Sequence, residues 1–392
     1  MKKLLLALGT GITAGYFAVR TIQALHELRE PSPVRAEDAK AYASIRRSLE
    51  VAETVRGIAE FCAFAYGAPG NALDRATRAF PRWARPAAFT APLMLATAIV
   101  DLPAAFVQDF ALERSYGLSA QSATDWAIDY AKSTVISIGV GSLLAVLFGA
   151  AVRRAPARWP LLASAGVFPL FILANLIVPL YVLPLFNTFE PIEGPLEKRI
   201  RALAARFGVG DAEILRMDMS RQTRKANAFV TGIGRTHRIV LGDTLIEAFP
   251  ESEIEFVVAH ELGHYVSKDT WRTIGLGEAL AATLFVLSNA LTARDERDEL
   301  RDSPMLLARL YATMTLAVQV LRPALLAFSR SREWAADRFA LATTNDAAAG
   351  ASAFRRLRDQ NLADEDPPAW YEFFFSSHPS LKARIEALEA TP

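Results

Sequence analysis

Long apolar runs alternate with short polar connectors through most of the chain. A spanning helix needs about 20 mostly apolar residues, with roughly 17–25 tolerated. Leu4–Val19, Ala87–Val107, Val135–Val152, Leu161–Leu183, Ile274–Leu291 and Met305–Phe328 fit that length. Val51–Tyr66 is a weaker seventh stretch, because it carries Glu53, Arg56 and Glu60. It suits a span, a surface helix or a helix buried against others equally well. Ala87–Val107 contains Asp101, which calls either for a protein-lined or wet environment or for a place at the membrane edge. The first run follows Lys2 and Lys3, and no clear small-x-small cleavage site precedes the charged run His26–Arg35. An uncleaved anchor is therefore expected.

Between Leu183 and Ile274 the pattern changes. Pro184–Gly194 reads as a connector, and Leu196–Phe207 places Leu196, Ile200, Leu203 and Phe207 on one helical face. Ile214–Asp218, Ala228–Thr231 and Arg238–Leu241 read as short strands, the last two joined by a hairpin loop over 232–237. A helix is expected from Pro250–Ser252, with Glu251, Glu253 and Glu255 where its dipole favours negative charge. The charge-dense run Arg294–Asp302 reads as a solvated loop between two spans. The whole predicts a mainly α protein: a polytopic membrane bundle of six or seven spans with a small α+β insert carrying a short antiparallel sheet. Its parts are an N-terminal membrane region over 1–183, an insert over 184–273, two further spans over 274–328, and a C-terminal helical part over 329–392.

Composition narrows the classes. The 392 residues carry 43 Lys+Arg against 42 Asp+Glu, a net charge of +1, and 52% are hydrophobic. Mean hydropathy is +0.19. A disordered chain is excluded, and no basic excess marks a nucleic-acid binder. The single cysteine, Cys62, excludes internal disulfides, cysteine-rich zinc modules and iron–sulfur centres.

His260-Glu261-Leu262-Gly263-His264 carries the chemistry. Two histidines at i and i+4 share one helical face, so both imidazoles reach one ion. A catalytic zinc takes three protein ligands and keeps an open position for water. Glu261, next to the first histidine, is placed to take a proton from the metal-activated water as general base. Only five histidines exist in the chain, and two of them stand here. A third ligand must come from elsewhere: Glu278, otherwise a membrane-edge residue, or Glu333. Glu333 and Asp337 share a helix face at i, i+4, an arrangement in which one binds metal and the other orients a ligand. The pair also suits a surface salt-bridge helix with Arg332 and Arg338. Asn227-Ala228-Phe229-Val230 reads as an edge strand able to hold an extended peptide, with Asn227 adding a side-chain amide. His237, in the hairpin, is expected to be exposed.

These motifs resemble the integral-membrane zinc endopeptidases of the CAAX prenyl protease 1 family, relatives of the HtpX proteases. The resemblance rests on Pro184-Leu185-Phe186-Asn187, Asn227-Ala228-Phe229, Arg238–Leu241, Asp243-Thr244-Leu245, His260–His264, Ser331–Asp337 and His378-Pro379-Ser380-Leu381. Glu113–Gln121 with Trp126 and Asp129 adds to it; the first 85 residues do not. It implies one Zn2+ per chain, held by His260, His264 and Glu333, with Asp337 behind them. It also implies His378 as hydrogen-bond donor to the developing oxyanion, with Arg384 supporting that network. A polypeptide substrate associated with the membrane, the lipid bilayer as partner, and an internal chamber follow from the same resemblance.

Topology has two solutions. Lys2 and Lys3 favour an inside N-terminus. Four crossings before the insert then put the catalytic face in the cytoplasm, where the family works. Five crossings do so only with an external N-terminus. Ala- and Arg-rich composition points to a bacterial inner membrane. A catalytically silent membrane scaffold or chaperone with a structural metal is the alternative function. A transporter would leave the histidines unexplained.

Overall fold

The structure is a computed structural model and describes residues 38–292 and 302–391. The expected first span, Leu4–Val19, and most of the Arg294–Asp302 run lie outside the described residues. Helix α1 runs Ala39–Tyr66 and α2 runs Ala68–Thr77. Val51–Tyr66 is thus the second half of a long helix whose charges are partnered. Arg56 meets Glu60 at 3.0 Å and also pairs with Asp101. Asp101 therefore sits in protein-lined surroundings.

Helix α3 (Arg85–Ala105) continues through a π-helical turn, Phe106–Ala111, and a last turn, Leu112–Ser115. It is followed by α4 (Ala123–Arg154) and α5 (Trp159–Ile177), the latter prolonged to Leu185. With two later helices these make five, among the described residues, that are long and apolar enough to cross a membrane. They overrun the apolar windows, and two of them, α4 and the later Pro304–Thr344 helix, start on a serine cap. Ser122 Oγ accepts from Asp125 N at 3.1 Å at the start of α4, satisfying an otherwise orphaned amide. Val135 and Leu161 each expose 69% of their surface, which a surrounding lipid phase accommodates.

The insert holds a four-stranded sheet of order β1-β2-β4-β3, built from β1 (Phe189–Pro191), β2 (Glu213–Met217), β3 (Ala228–Thr231) and β4 (Arg238–Gly242). The β3/β4 hairpin is antiparallel as expected, whereas β2 runs parallel to β4. The sheet is therefore mixed, not purely antiparallel. The chain places the hairpin so that β4 inserts beside β2 and leaves β3 on the outer edge. Strand β1 was not expected; three residues ending in Pro191 are too short to show alternation, and proline suits an edge.

Helices α6 (Pro195–Ala205), α7 (Asp243–Ala248) and α8 (Glu251–Val266) pack on this sheet. Ile200, Leu203, Ile214, Ile239, Leu241, Ile254, Phe256 and Leu262 form the centre of the core. Phe256 and Leu262 are fully buried, each worth roughly 1.5–3 kcal/mol. This core fixes α8 along its apolar face and turns its histidines the other way. Spans α9 (Asp269–Leu291) and α10 (Pro304–Thr344) follow, then α11 (Ala347–Asn361), α12 (Ala369–Phe375) and α13 (Leu381–Glu389). The chain leaves the insert on α9 and returns on α10, so both ends of this pair lie at one face.

Candidate metal centre

Helix α10 passes close to α8 at Gly263. A Cβ there would stand 3.1 Å from Ala336 Cα and 3.1 Å from the Phe339 ring, so a larger residue would push the two helices apart by a few tenths of an ångström. The contact brings Glu333 over the paired imidazoles. His260 Nε2 lies 3.4 Å from Glu333 Oε2, and His264 Nε2 lies 3.4 Å from Glu333 Oε1. The two Nε2 atoms are 3.3 Å apart. One ligand atom from each of the three residues falls within 4.8 Å of the others. Glu278, on α9, is not in this group.

The remaining ring nitrogens are held from behind. His260 Nδ1 is 2.9 Å from Asp337 Oδ1, and Arg384 grips Asp337 as a fork, Nε to Oδ2 at 2.8 Å and NH2 to Oδ1 at 2.6 Å. The guanidinium of Arg384 also stacks over Phe354, 4.1 Å from the ring centre. His264 Nδ1 is 3.0 Å from Asp269 Oδ2, and Arg332 Nε donates to Asp269 Oδ1 at 2.7 Å. Asp269 escaped sequence reasoning. It opens α9 only because Lys268 turns the chain through a left-handed conformation, φ 57°. An acidic residue five places after the second histidine was the available signal.

The donor set fits a zinc ion. Two imidazoles and one carboxylate converge, and Glu333 Oε2 is buried without a hydrogen-bond partner. Electrostatics agree: burial opposes charge on His260, but the facing Asp337 and Glu333 carboxylates outweigh it and push its pKa up to about 9. The pocket thus favours positive charge where an ion would lie. Burial also raises the Glu261 pKa, although the neighbouring His260 and His264 pull it down.

His260, Glu261, Glu333, His378, Asn227 and Ala228 line one cavity of about 530 Å³. His378 Nε2 stands 3.5 Å from Glu333 Oε1, and its Nδ1 is 2.9 Å from Ser377 Oγ. Asn227 and Ala228 lead into the sheet's outer strand. Phe229 packs instead with Leu215, Met217 and Val240, away from the cavity, as strand alternation requires. His237 is partly buried rather than exposed, its ring set edge-on to Tyr265 with centres 4.9 Å apart.

A family model for peptidase family M48 matches residues 192–392, and one for the CAAX prenyl protease N-terminal region, described by five membrane helices, matches residues 30–188. The chain belongs to peptidase family M48. This M48 protein is 32% identical to the metalloprotease YhfN of Bacillus subtilis, over 79% of this chain and 74% of that one. It is 29% identical to a CAAX prenyl protease 1 homolog of Oryza sativa subsp. japonica, over 77% and 72%. The crystal structure of S. mikatae Ste24p superposes with a TM-score of 0.81, covering 99% of each chain at 21% identity, and so shares the fold. The resemblance to the CAAX prenyl proteases is thereby established, and the protein is a multi-pass membrane metalloprotease.

Proposed function

We propose that this protein is a zinc-dependent endopeptidase that hydrolyses peptide bonds of membrane-associated or lipidated polypeptides. One observation carries the reading: three side chains able to hold a metal converge, and two of them, His260 and Glu333, line a cavity together with Glu261 and with Asn227 and Ala228 at the sheet's outer strand.

His260, His264 and Glu333 would hold one Zn2+ per chain. When bound, the ion supplies Lewis-acid polarisation to the attacking water and the scissile carbonyl. The protein's own groups do the rest. Asp337 and Asp269 accept from the two Nδ1–H groups, which leaves both Nε2 lone pairs facing the ion. Glu261 is the general base: it takes a proton from water as the oxygen attacks the carbonyl carbon. It then passes that proton to the departing nitrogen, so the C–N bond breaks to give a neutral amine and not an amide anion. Burial keeps its pKa high enough to hold the proton in transit. The oxyanion role needs the His378 ring proton on Nε2, the tautomer in which Ser377 Oγ, 2.9 Å from Nδ1, is the donor. Arg384 positions His260 through Asp337. Asn227 and the β3 backbone hold the substrate extended.

We place the protein in a bacterial inner membrane with its catalytic face in the cytoplasm, the side that four crossings after an inside N-terminus give. The test is cleavage of a fluorogenic peptide by purified protein. Activity is expected to vanish with a zinc chelator and in Glu261→Gln, with zinc retained in that variant. Undiminished cleavage by Glu261→Gln refutes the assigned base.

A further inference from the structure

The free edge of β3 is not uniform. Asn227 directs its carbonyl to Gly242 N at 2.9 Å. The alternation of an antiparallel pair then turns the peptide groups of Ala226, Ala228 and Val230 to the opposite, open side. Ala226 is already taken. Its N–H donates to Asn361 Oδ1 at 2.8 Å, and its carbonyl accepts from Asn361 Nδ2 at 3.2 Å. One carboxamide makes both of the bonds that a passing strand would make there.

Asn361 is held firmly in that role. The next residue, Leu362, is buried in a left-handed conformation, φ 47°, that a branched side chain adopts only under constraint. The constraint comes from Tyr42 and Leu49 of α1 and from Leu112 and Leu118, among which it packs. On the other side, Gln360 Nε2 donates to Arg224 O at 2.8 Å and to Thr244 O at 3.2 Å. The helix end and the segment before β3 are thus fastened at two successive side chains.

We propose that Asn361 is an end-stop for substrate pairing: its carboxamide stands in for one residue of a bound strand, closes the β3 edge at Ala226, and confines backbone pairing to Ala228 and Val230. Asn361 is therefore a specificity-determining residue. A bound polypeptide leaves the sheet on the Asn361 side, where the cavity lining continues through Leu362, Ala363 and Asp364. The substrate class that fits pairs through a short extended segment beside the cleaved bond, not through a long β-strand. The inference rests on the reading of β3 as the substrate strand.

Peptides of fixed cleavage site, lengthened one residue at a time at either end, test it on the full chain in detergent. In the native protein kcat/KM stops rising at one end once the residue facing Ala226 is reached. In Asn361→Ala the next residue at that end raises kcat/KM about fivefold, the factor one net hydrogen bond supplies. Asn361→Asp, which keeps the acceptor for Ala226 N–H, gains less and serves where the alanine variant melts early. Identical length profiles in native and folded variant proteins overturn the end-stop. Backbone N-methylation at each peptide position separates the two readings. Loss of cleavage at the positions facing Ala228 and Val230 upholds strand pairing, and indifference at every position overturns the use of β3 itself.

Discussion

Asp269 Oδ2 lies 3.0 Å from His264 Nδ1, and its other oxygen accepts from Arg332, the residue immediately before Glu333. The second histidine is thereby fastened to the helix that brings the third ligand. His260 is treated alike by Asp337 and Arg384. Each imidazole carries a carboxylate and each carboxylate an arginine, so both Nε2 atoms keep one orientation.

Asp269→Asn keeps the shape but loses the charged acceptor. Zinc affinity is expected to fall about 10–100-fold. Competition against a chromophoric chelator measures it, and an unchanged affinity would show Asp269 to be idle.

Arg384→Met leaves the Asp337 carboxylate buried with only His260 beside it. Breaking a buried pair this way costs about 3–5 kcal/mol. The double variant Arg384→Met/Asp337→Asn removes the stranded charge and is expected to recover part of the loss in denaturant melts. A double variant less stable than either single one contradicts the pairing.

His378 is not one of the three convergent donors. His378→Ala is therefore expected to keep its full zinc content and a similar KM while kcat drops about 10²–10³-fold, the usual cost of one oxyanion donor. Metal analysis beside steady-state kinetics distinguishes this from a ligand's loss.

A zinc ion held by His260, His264 and Glu333 would join α8 to α10 and tie parts of the fold together. Added at about 100 times its dissociation constant, it is expected to stabilise the protein by roughly 2.7 kcal/mol. The gain should vanish in His264→Ala. Thermal melts with and without zinc read both.

Partial burial against Tyr265 lowers the His237 pKa, with Asp211 opposing. The unfolded chain then binds the proton more readily, so stability falls as pH drops through the ordinary imidazole range. Between about pH 7.5 and 5.5 the native protein is expected to lose more melting temperature than His237→Gln. Equal losses would rule the residue out as the cause.

Legibility followed locality. Two histidines one turn apart declare a shared helix face without any tertiary knowledge, and apolar runs of spanning length declare helices. Glu333 needed a family pattern to be chosen over Glu278, because two spans separate it from His264. Asp269 and Asn361 stayed hidden because their roles depend on left-handed residues, Lys268 and Leu362, whose side chains do not announce that conformation. Strand β1 carries too few residues for periodicity to register.

The return of the chain through α9 and α10 before Glu333 has a consequence for biosynthesis. A nascent chain that has emerged only as far as His264 owns two thirds of its metal grip and none of its hydrolytic power. Competence arrives when the hairpin has been threaded into lipid and come back, so insertion itself arms the protease. A chain ended just after Phe328 is accordingly expected to be inert towards peptides and a poor zinc binder, however well its α8 helix folds.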